Sequence, residues 1–171
     1  MLFFSLGGAN RERVVVTVLR HERTRVVGDG SFAVIDGLHG SHSAGSIHTN
    51  NWLAVEVAVW AGSFSAQFPA VFLADDFARF HNALLPLLYT SQGEATFSTR
   101  EEQLFLRVVG NTNDVQGGME VTGVALAWPG EGQRSEFRLV LDRANLGQTL
   151  RELGDILSAF PVRHKQQVLG F

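Results

Sequence analysis

Two successive runs with a side-chain period of two, followed at once by a run with a period near 3.6, restrict what this chain can fold into more than any other feature. In Trp52–Trp60, Leu53, Val55, Val57 and Val59 share one face, and Ala54, Glu56, Ala58 and Trp60 share the other. Ala61-Gly62-Ser63 punctuates, and then Phe64, Ala66, Phe68, Ala70 and Phe72 alternate with Ser65, Gln67, Pro69, Val71 and Leu73. The pair reads as a hairpin. Pro69 has no amide hydrogen to give to a ladder, so its strand belongs at an edge or is interrupted there. After Asp75-Asp76 the spacing of Phe77, Phe80, His81, Leu84, Leu87 and Leu88 becomes helical and predicts a helix over about 76–89. The two acids suit the first turn, where amides lack partners and the helix dipole is positive. Pro86 predicts a kink or a terminal turn around 85–89.

Arg13–Leu19 is too rich in β-branched residues for a comfortable helix and predicts a buried strand, and Ser31–Ile35 a short one. Residues 36–51, dominated by Gly, Ser, His and Asn, read as a long flexible loop. Further strands are expected at 94–98, 103–109, 119–128 and 136–141. Leu146, Leu150, Leu153, Ile156, Leu157 and Phe160 form a second helical stripe over 143–160, with Arg151, Glu152 and Asp155 on the opposite side. Asp142 and an Asn145/Gln148 capping box compete to start this helix, and Pro161 ends it. No repeat of solenoid length is visible. Strands in runs, without βαβ alternation, predict an α+β fold: a largely antiparallel twisted β-sheet with two amphipathic helices. At 171 residues, the expectation is a single domain over 1–171.

Composition narrows the classes of function. With 45% hydrophobic and 18% charged residues the chain is globular. No apolar run reaches the roughly 18 residues that cross a bilayer, and the start Met1-Leu2-Phe3-Phe4-Ser5-Leu6 lacks a basic leader, so the expected address is cytoplasmic, with no membrane partner. The absence of cysteine excludes disulfides and thiol chemistry. A net charge of −3 argues against non-specific nucleic-acid binding. The basic set Arg11, Arg13, Arg20, Arg23 and Arg25 is interrupted by Glu12 and Glu22, and exposed strand positions explain it.

The side chains that could carry chemistry favour architecture. His39, His42 and His48 are the candidate metal ligands, but Gly and Ser around them leave the imidazoles without the fixed spacing of a His-Glu-x-x-His helix, so no metal site is assigned. Asp75-Asp76 and Glu101-Glu102 are adjacent pairs, unable to flank a substrate as acid and base do, and read as a cap and a turn. There is no Gly-x-Ser-x-Gly elbow, Walker loop or dinucleotide fingerprint. No catalytic residue and no cofactor is expected, and the chain reads as a binding protein, not an enzyme. Trp52 and Trp60 share a strand face and could form a ligand platform, although core packing explains them as well.

The linear order carries a resemblance. The Trp52–Val57 strand, the aromatic alternation to Phe72, Asp76-Phe77 with Phe80, Leu84 and Leu87-Leu88, the Gly93-Glu94-Ala95-Thr96-Phe97 strand, Leu104-Phe105-Leu106, Phe137-Arg138-Leu139 and the Phe160-Pro161-Val162 ending follow in sequence. This order resembles the WapI-type bacterial immunity proteins and their uncharacterised relatives, over roughly 52–162. The common Asp-Gln start of that family's last helix is Asp142-Arg143 here. The resemblance implies an intracellular antidote that occludes a cognate protein toxin, without turnover and without a cofactor. The alternative is a small-ligand or regulatory binding domain using the 36–51 loop as a lid.

Overall fold

The computed structural model describes residues 1–8, 11–21, 24–26, 32–34, 41–42, 51–110, 118–127 and 133–163. Strands β1 (Leu2–Gly7), β2 (Arg13–His21), β3 (Thr24–Val26), β4 (Phe32–Val34), β5 (Ser41–His42), β6 (Trp52–Ala61) and β7 (Phe64–Leu73) lead into α1 (Ala74–Thr90). Then come β8 (Glu94–Ser98), β9 (Leu104–Gly110), β10 (Met119–Leu126), β11 (Arg134–Leu141) and α2 (Arg143–Ala159). The fold is α+β with antiparallel strands, as the sequence predicts. The strands divide into a first sheet ordered β1-β2-β6-β7, a second ordered β11-β10-β9-β8, and a small sheet β3-β4-β5. Of the 36–51 stretch read as a loop, only β5 and Asn51 are described, and the side chains of His39, His42 and His48 lie outside the described residues.

Each large sheet is a four-strand unit followed by a 17-residue helix. The helices cross over: α1 packs along β8, the first strand of the second sheet, and α2 along β1, the first strand of the first. Laying the start of α1 on the start of α2 matches buried Phe77, Phe80, Leu84 and Leu87 with buried Leu146, Thr149, Leu153 and Ile156. Between the layers, the ring of Phe97 lies 5.3–5.8 Å from those of Phe4, Phe72, Phe77 and Phe80, all fully buried. Rings from β1, β7, α1 and β8 therefore meet at one point, in the edge-on and tilted geometries that aromatic quadrupoles prefer.

Sheet edges are treated unequally. Pro69 lies on β7, which is an edge strand as expected, and the Val71 amide of the same strand donates to buried Gln103 Oε1 (3.2 Å). On β1, the Ser5 N–H donates to Glu152 Oε2 (2.8 Å), and Thr149 donates to the Ser5 carbonyl. Glu152 was expected on the solvent side of its helix. The residue is only 9% exposed instead, because α2 lies beside a strand edge whose polar backbone must be satisfied. We expect Glu152→Ala to cost about 1–3 kcal/mol in urea denaturation, the penalty for an orphaned partly buried amide; an unchanged midpoint would contradict this role.

The helix ends decide between alternatives that the sequence left open. Asp142 caps α2, accepting from Asn145 N–H (2.7 Å), so Asn145 sits inside the first turn and does not start the helix. In α1 the helix continues past Pro86 to Thr90, where Ser91 adopts a left-handed cap with φ 54°. The carbonyl that Pro86 deprives of a partner belongs to Asn82, whose exposed position leaves it accessible to water.

Candidate functional site

The outer faces of the two large sheets differ in chemistry. On the second sheet, Arg107 pairs with Glu94, Arg134 with Glu136 (2.8 Å) and Arg138 with Glu120 (3.6 Å), all exposed. Glu94 raises the Arg107 pKa above its ordinary value, by hydrogen bond and then by charge, so that guanidinium stays ionised throughout the accessible pH range. This face cancels its own charge. The outer face of the first sheet carries Phe3 and Trp60, with Leu19 at a bulge in β2, and the second sheet exposes Phe105 and Val140 beside its ion pairs.

The hairpin end is a built cluster. Arg13 and Trp60 are cross-strand partners on β2 and β6, and the Arg13 guanidinium lies 5.0 Å from the centre of the indole ring. The Gly62 turn takes φ 59°, open to glycine without strain, and its N–H donates to Glu12 Oε1 (2.9 Å). Trp60 is 38% exposed, whereas Phe64, paired with Ala61, lies on the opposite face of the hairpin. Trp and Arg dominate binding hot spots because each offers a large, rigid contact area with a polar handle. Sequence periodicity placed Trp52 and Trp60 on one face, but they part company: Trp52 is buried with Val71 and Leu73, and only Trp60 reaches the surface. The Arg13–Trp60 pairing depends on register between distant strands, which a linear pattern does not specify.

An open groove of about 720 Å³ lies between α1 and β8, lined on the helix side by Asp75, Asp76, Arg79 and Ala83. The acids here make local contacts. Buried Asp76 accepts from Leu73 N–H (2.9 Å) and pairs with Arg79, and Asp75 accepts from Asn51 Nδ2 (3.3 Å). Asn51, which the sequence reading passed over, also bonds both backbone groups of Arg163, tying the start of β6 to the chain after α2. Glu102 sits in the β8–β9 turn with φ 56° and donates its N–H to the Thr99 carbonyl (3.0 Å). His21 stacks edge-on against Phe160 at 4.9 Å. Among the described residues no three His, Asp or Glu side chains gather to hold a metal ion, and no helix is long and apolar enough to cross a membrane.

Comparison with known proteins adds the family. No curated protein matches the chain. Among solved structures, that of the plant transcriptional regulator PBF-2 is similar at 7% identity with a TM-score of 0.47, covering 94% of this chain and 83% of that one. The model of the immunity protein WapI-like family matches residues 5–161, so the chain belongs to that family.

Proposed function

We propose that this protein is a non-catalytic antidote that binds a cognate protein toxin in the cytoplasm of the producing cell and blocks it, needing no cofactor. The observation that carries the reading is the family match over 5–161, which spans both sheets and both helices. The exposed Trp60 with Arg13 over its ring supports it by supplying what a protein interface anchors on. The chain acts as one unit, because each helix closes the sheet that it does not follow.

The test is co-expression with each candidate toxin domain encoded near this gene. Growth is rescued and the two chains co-purify at a fixed ratio if the reading is right. Unchanged killing with no co-purification would refute it.

A further inference from the structure

The strands of the two large sheets carry four glutamates, and their surroundings differ. Glu94, Glu120 and Glu136, on the second sheet, each pair with an arginine. Glu56, in the middle of β6 on the first sheet, is half-buried, and among the described residues nothing hydrogen-bonds or ion-pairs with its carboxylate. Glutamate is a poor strand former, and a β-branched residue would suit this position better. The charge therefore has no local structural use.

Register places Glu56 in a row with Phe3, Thr17 and Pro69, one residue from each strand of the sheet. Its neighbours along β6 on the same outer face are Ala54 and Ala58. These short side chains make a low floor around the carboxylate. Exposed Phe3 stands two strands away, roughly 10 Å, and exposed Trp60 four residues along the strand, roughly 13 Å. The cations of the same face are already engaged: Arg13 lies over the Trp60 ring, and Arg20, opposite Ala54, has its contacts elsewhere. Among the described strand residues, this face thus holds one unmatched anion between two exposed aromatic rings.

We propose that the toxin docks on this outer face with an arginine side chain that enters between Trp60 and Phe3 and pairs with Glu56. The inference rests on the antidote reading and deepens it by naming the contact face and the charge that the partner brings. Charge complementarity selects the occupant, since the only unmatched charge on the floor is negative. A guanidinium offers two parallel N–H donors to a carboxylate, and its weakly hydrated plane can lie against Ala54 and Ala58. The aromatic rings at the margins exclude water from around the pair, which makes it worth more than a charge at an interface rim.

The experiment is calorimetry with the full chain and the toxin domain recovered by co-expression. Glu56→Gln should weaken the complex by about tenfold or more, and Glu56→Lys by about a hundredfold or more. Both variants should keep a Tm within about 3 °C of wild type, because the carboxylate has no internal partner to lose. Glu120→Lys makes the same charge change on the outer face of the second sheet and should alter the dissociation constant less than about threefold. Changing the exposed arginines of the toxin domain to glutamate one at a time should yield one variant that prefers the Glu56→Lys chain to the wild type. If no toxin domain forms a complex, the antidote reading and this one fall together. A complex that binds Glu56→Lys as tightly as wild type overturns this inference alone. So do equal losses in Glu56→Lys and Glu120→Lys, an arginine scan that restores nothing, or sedimentation showing that the face joins two copies of this chain and that Glu56→Lys separates them.

Discussion

Phe97→Ala is expected to be the most damaging single substitution, costing about 3–5 kcal/mol against a typical net stability of roughly 5–15. Its ring touches four others contributed by β1, β7 and α1, and the site is fully buried, so the cavity cannot fill from solvent or collapse without moving three elements. In a domain of this size the Tm should fall by roughly 6–20 °C, at about 2–4 °C per kcal/mol. Phe105→Ala is the control. Phe105 is 38% exposed on the outer face of β9, and its loss should cost less than about 1 kcal/mol. Equal urea midpoints for the two variants would mean that the rings do not converge as described.

The second large effect concerns binding. Under the proposed toxin binding, Trp60→Ala should weaken the complex about thirtyfold or more, the loss of roughly 2 kcal/mol that marks a hot spot. The fold should tolerate the change, because the indole lies on the outer face, and the core under the hairpin is made by Val57, Val59 and Phe68. Calorimetry of the purified pair separates these quantities: a Tm within about 3 °C of wild type with a dissociation constant raised as stated is the expected combination. An unaltered dissociation constant would move the contact surface elsewhere.

How much of this was legible beforehand follows from what each feature depends on. The β6–β7 hairpin, the edge position of Pro69 and the buried stripes of both helices are local, since side-chain period and a missing amide write them directly into the chain. The division into two large sheets is not local; it depends on α1 interrupting the meander after β7 and on which strands then find partners. Glu152 shows the same limit. Its position beside Arg151 and Asp155 suggests a solvated charge, and only the placement of β1, 147 residues away in sequence, makes it a buried clasp. The candidate binding surface was half visible: periodicity found Trp60, but its exposure and its Arg13 partner required the register of β2 against β6.

The reciprocal crossing of the helices bears on how the molecule is made. β1 is closed by α2, more than a hundred residues later in the chain, so the four-strand unit that includes β1 keeps an open margin until α2 has been made. A translation product that stops before α2 would therefore present the β1 edge unpaired and be a substrate for chaperones and proteases.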